Sequence, residues 1–72
     1  MTSKQDLAKQ IATKAVRDWR EEERMAADGV ALSKGNAIRS LTKAVSQGVS
    51  QAELARETGF SRQRLHQLLN GS

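Results

Sequence analysis

The side chains best suited to specific recognition lie within nine positions near the C-terminus of this 72-residue sequence: Arg62, Gln63, Arg64, His66, Gln67 and Asn70. A glutamine amide offers a donor and an acceptor side by side, and a guanidinium offers a planar fork of donors. Each can therefore bond two atoms at once on the edge of a flat partner. Glutamine matches adenine in this way and arginine matches guanine, each pairing being worth about 1–3 kcal/mol of discrimination between bases. Covalent chemistry is far less well provided for. The chain has no cysteine, which removes disulfides, thiolate zinc sites and a cysteine nucleophile. It has one histidine, His66, with no partners at metal-ligand spacing. Neither a phosphate-cradling glycine loop nor a nucleophile–base pair is present, and the acidic run Glu21–Glu23 reads as a solvated helix face. The expectation is a binding protein, not an enzyme, with no cofactor, no metal and no small-molecule substrate.

The elements that must hold these residues follow from spacing. With Leu65, Leu68 and Leu69 turned inward, a 3.6-residue period points Gln63, Gln67 and Asn70 outward, flanked by Arg62, Arg64 and His66. Ser61 is placed to cap this helix, which runs to about Leu69. Gly59 supplies a positive φ for a tight turn, and Phe60 plugs it. Upstream, Ser50-Gln51-Ala52-Glu53 is a capping box, with Val49 placed to pack on Leu54 as a hydrophobic staple. A third helix therefore runs from Ser50 to about Thr58. Leu54 and Ala55 face the next helix, and Ala55 must be small because the two helices cross closely there.

The rest of the chain reads as two further helices. Proline is absent, aromatics are limited to Trp19 and Phe60, and helix-forming residues dominate. Ser3 and Asp6 start a first helix from about Lys4 to about Ala27, long for so small a domain, with an apolar stripe of Leu7, Ala8, Ile11, Ala12, Ala15, Val16 and Trp19. After a connection at Val30–Leu32, Ser33 caps a second helix. Ala37, Ile38, Leu41, Ala44 and Val45 form its buried face, Lys34, Arg39 and Lys43 point outward, and Gly48 ends it. The expected fold is all-α, with four helices in a single domain. Residues 1–29 form an N-terminal helix and candidate dimerisation element, and residues 33–70 form a tri-helical core. Seventy-two residues bury a thin core, so pairing would help stability. The stripe of Leu7, Ile11, Ala15 and Trp19 is the candidate dimer seam.

Charge separates the two halves. Residues 1–29 hold six basic side chains (Lys4, Lys9, Lys14, Arg17, Arg20, Arg24) and six acidic ones (Asp6, Asp18, Glu21, Glu22, Glu23, Asp28). Residues 30–72 hold six basic side chains against only Glu53 and Glu57, so the whole net charge of +4 sits there. That asymmetry points to a polyanion partner for the C-terminal half. No apolar run is long enough to span a membrane and the N-terminus lacks a signal peptide's apolar stretch, so the expected compartment is the cytoplasm.

The stretch SQAELARETGFSRQRLHQLLNG resembles the helix-turn-helix of the phage lambda-type repressor and Cro family, over about 21 of the 72 residues. It also fits, slightly less well, the C-terminal DNA-binding segment of resolvases and invertases. Family members read base edges with the first turns of the second helix, which the resemblance places at Ser61, Arg62, Gln63 and Gln67, with His66 beside them. The amides around Gln51 match family positions that hold a backbone phosphate. Arg64 and Asn70 are further candidate phosphate contacts, as are Lys43 and Arg39. The family normally has further helices after the motif, whereas here two helices precede it. The implied function is sequence-specific binding of double-stranded DNA through the major groove, as a homodimeric, nucleoid-associated transcription regulator, most simply a repressor on an inverted-repeat operator. Two other readings remain open: an architectural, partition or recombination-accessory protein assembling on repeated sites, and a protein-interaction module whose basic charge is incidental.

Overall fold

The structure is a computed structural model that describes residues 3–25 and 28–70. It is all-α. Four helices follow one another: α1 (Lys4–Met25), α2 (Val30–Ser46), α3 (Gln51–Thr58) and α4 (Arg62–Leu69), with no strand among the described residues. The expected end of the first helix at Ala27 lies outside the described residues. None of these helices is long and apolar enough to cross a membrane.

Helix α1 begins where Ser3 Oγ accepts from the Asp6 amide at 3.1 Å, meeting an orphan donor of the first turn. It packs antiparallel against α2 as a hairpin: Leu7 lines one groove with Lys43 and Gln47, and Met25 lines another with Leu32. Both helices present alanine at the contact. Ala8 and Ala12 on α1 and Ala37 and Ala44 on α2 are buried, and small side chains let two helices approach closely.

The apolar stripe of α1 divides in two. Ala8, Ala12, Val16 and Trp19 enter the core, whereas Leu7 and Ile11 stay about half exposed (52% and 51%) and Ala15 is half-buried. The expected seam of Leu7, Ile11, Ala15 and Trp19 is therefore not one surface, because Trp19 is 3% exposed and already packed within its own chain. The cause is angular. At 100° per residue, Leu7 and Ile11 stand to one side of the ridge formed by Ala8, Ala12 and Val16. Helix α1 supplies four of the twelve buried apolar residues among those described.

The second helix starts four residues earlier than the Ser33 cap implies, at Val30 with Gly29 in the cap position. Ser33 lies inside its first turn, its amide bonding the Gly29 carbonyl at 2.9 Å. Its hydroxyl donates instead to the Glu22 carboxylate of α1, a charged acceptor that wins over local capping. The C-terminus closes as a Schellman motif around Gly48 (φ 100°): the Gly48 amide bonds Val45 O and the Val49 amide bonds Ala44 O, both at 3.0 Å. The same motif turns Val49 into the core cluster that also holds Leu54.

Helix α3 has half of the expected capping box. Ser50 Oγ accepts from the Glu53 amide at 3.1 Å. The Glu53 carboxylate does not return to Ser50; it takes the Lys9 ammonium at 3.0 Å, the one ion pair among the described residues. A charge-assisted bond to an ammonium outweighs one to a neutral amide, and here it ties α3 to α1. Gly59 (φ 80°) ends α3 in the left-handed conformation, and Ser61 Oγ caps α4 by accepting from the Arg64 amide at 3.0 Å.

Two outcomes follow. Gly59→Ala forces a side chain into left-handed backbone and should lower stability by about 1–2 kcal/mol, read by urea unfolding. The Glu53 hydrogen bond, and then its charge, hold the Lys9 ammonium above its ordinary pKa of 10.5. Because the folded value is raised, the stabilisation is complete below that pH and is lost as pH rises through the folded value. The stability difference between the native chain and Lys9→Met should be constant from about pH 8 to 10 and should shrink above pH 10.5.

Candidate nucleic-acid interface

Helix α4 is anchored from within by Leu65 and Leu68, 0% and 2% exposed, with half-buried Leu69 beside them. Everything else on it faces outward. Ser61, Arg62, Gln63, Arg64, His66, Gln67 and Asn70 are all exposed. The helix carries no acidic residue, so the face combines two guanidiniums, two amides and an imidazole with no internal anion. Its eight residues span about 12 Å.

Some of these side chains are already engaged. The Ser61 oxygen holds the Arg64 amide, so its acceptor capacity goes partly to capping. Asn70, at the C-terminal end of α4, places its amide nitrogen 2.8 Å from His66 Nε2. That contact couples the expected phosphate residue to the expected base-reading one.

The turn before α4 is fixed by three interactions. Thr58 is buried, its hydroxyl donating to Leu54 O at 2.7 Å and accepting from the Phe60 amide at 3.5 Å. Ala55, the small residue expected at the crossing of α3 and α4, is 8% exposed and belongs to the core cluster. Phe60 packs its ring against Trp19, centroids 5.9 Å apart and tilted by 49°. Gln51, half-buried, opens α3, and the first amides of a helix are left without intrahelical partners. With Glu53 engaged by Lys9, this end of α3 presents amide donors.

The remaining expected phosphate contacts lie elsewhere. Lys43 and Arg39 line a groove with Leu7 and Ile11 of α1, and no residue of α3 or α4 borders it. Arg39 also bonds Asn36 Oδ1 at 2.7 Å. The structure therefore sets Gln51 at the start of α3 and the α4 residues on an exposed face, and leaves Lys43 and Arg39 in the α1–α2 groove.

One cation at the turn was not legible in the sequence. The Arg20 guanidinium stacks 4.3 Å from the centre of the Phe60 ring, and a Cβ on Gly59 would lie 3.4 Å from its Nη1. Arg20 thus adds positive charge from α1 beside the turn into α4. Its neighbour Trp19 occupied the apolar stripe, yet nothing in linear spacing sets residue 20 beside residue 59. Lys34 likewise sits 5.9 Å from the Trp19 ring. Comparison with family models, curated proteins and solved structures finds no significant match to this chain.

Proposed function

We propose that this chain binds double-stranded DNA sequence-specifically, with α3 and α4 acting as a helix-turn-helix and α4 lying in the major groove. The observation that carries the reading is the outward face of α4. It is fully exposed, free of acidic residues and rich in planar hydrogen-bonding side chains, and it is held rigid by a serine cap and a left-handed glycine turn. In this arrangement Arg62, Gln63 and Gln67 read base edges, with Ser61 and His66 alongside. Arg64, Asn70, the first amides of α3 at Gln51, and Arg20 contact phosphates, fixing the register of α4 without reading sequence. A protein of this kind regulates transcription, most simply as a repressor whose occupancy of an operator blocks the polymerase. Paired as a homodimer, it would set two copies of α4 into successive major grooves about 34 Å apart on an inverted repeat. Its place of action would be the nucleoid.

Selection of binding sites from random duplex DNA near physiological salt tests this. The expected result is an enriched inverted repeat. Gln63→Ala and Gln67→Ala should each relax preference at one or two base positions, with a loss of about 1–3 kcal/mol of discrimination. Arg64→Ala should weaken all sequences alike and flatten the salt dependence. Enrichment of tandem direct repeats would favour cooperative coating by an architectural or partition protein. Binding without sequence preference that disappears at moderate salt would remove the proposal.

A further inference from the structure

We infer that the seam between α1 and α2 is a self-association surface, on which a second copy of this chain docks antiparallel with its basic end against the first copy's acidic end. The large hydrophobic residues exposed among the described residues are Leu7, Ile11, Met25 and Leu32, and all four border this seam. Leu7 and Ile11 lie at one end, where α1 begins and α2 finishes. Met25 and Leu32, 70% and 69% exposed, lie at the other. Scattered exposed leucines need no explanation, but a set gathered along one groove marks a contact surface.

Charge identifies the occupant. Around Leu7 and Ile11 stand Lys4, Arg39 and Lys43. Around Met25 and Leu32 stand Asp18, Glu21 and Glu22. None of these six makes an ion pair with another described residue, since the one such pair joins Lys9 to Glu53. A face that is apolar along its length, basic at one end and acidic at the other is complementary to itself after a half-turn. A two-fold axis through its middle, near half-buried Ala15, sets each basic end on an acidic end and each apolar pair on the other. This is an isologous contact, which closes at two copies. A parallel arrangement would oppose like charges, which is disfavoured.

Size agrees. Two adjacent helices, with the longer being 22 residues, offer a face of roughly 700 Å² from standard helix dimensions, close to the ~800 Å² per partner of an ordinary stable interface. The pairing in the proposed function rests on this surface, whereas groove reading by α4 does not, so the two can fail separately.

Sedimentation without DNA, at low salt, tests the inference. The native chain is expected to be a dimer that loosens as salt rises. One variant, Lys4→Glu with Lys43→Glu, makes both ends acidic; a second, Asp18→Lys with Glu21→Lys, makes both ends basic. These side chains are exposed and make no ion pair within the described residues, and helical circular dichroism verifies that each variant folds. Each variant alone should dimerise at least about tenfold more weakly than the native chain, and an equimolar mixture should recover heterodimers. A native chain that stays monomeric, or variants that dimerise alone as well as the native chain, would overturn the inference. So would loss of DNA affinity in the first variant with no change in mass, which would assign the basic end to phosphate. Gln63→Ala should leave the dimer intact whatever its effect on DNA binding.

Discussion

Trp19 and Phe60, the chain's two aromatic residues, meet with ring centroids 5.9 Å apart, and the orientation of α4 depends on that contact. Helices of eight residues such as α3 and α4 do not persist alone, because nucleation costs more than so few hydrogen bonds return. They must be held by packing. Trp19 supplies the platform from α1, Phe60 carries the turn onto it, and Arg20 covers the phenyl ring at 4.3 Å. The arrangement has a cost. Trp19 Nε1 is buried with no hydrogen-bond partner among the described residues, a loss of about 1–3 kcal/mol. Truncating a buried tryptophan to alanine loses about 3–5 kcal/mol, so burial of the indole outweighs its unpaired donor.

How much could be read from the sequence follows from the range of each interaction. The segment from Ser50 to Leu69 was legible almost residue by residue, because its determinants act within four positions: two serine caps, a left-handed glycine and inward leucines. The all-α class was legible for the same reason. What escaped were choices between a local partner and a distant one. Glu53 could have closed its capping box but bonds Lys9, 44 positions away. Ser33 could have capped α2 but donates to Glu22, and α2 begins at Val30. In both cases the distant partner is charged, and a periodicity argument assigns no energy to it. Trp19 escaped in a different way. The stripe of α1 is apolar by spacing, yet spacing alone does not say which of its edges meets the core and which stays outside.

If α4 meets DNA and the α1–α2 seam meets its own copy, as proposed, the two surfaces must obey opposite electrostatic rules, and this gives the charge pattern of the chain a physical meaning. A surface that meets a polyanion gains from a net excess of one sign, since every added cation attracts the same partner. A surface that meets its own copy across a two-fold axis cannot carry such an excess, because the excess would face itself. It can be charged only if its two signs are separated, so that rotation brings unlike ends together. The N-terminal 29 residues, neutral by count with six charges of each sign, are consistent with the second rule. The folded hairpin shows the separation that the count conceals, with Lys4 beside the exposed Leu7 and Ile11, and Asp18 and Glu21 beside the exposed Met25. Of the six basic side chains in the remaining residues, Arg62 and Arg64 lie on α4, where no acidic residue is present, and these two fit the first rule. Arg39 and Lys43 belong to that half by sequence, yet the fold moves them to the seam, where they complete the basic end. Net charge along a chain therefore locates partners only after folding has assigned each side chain to a face.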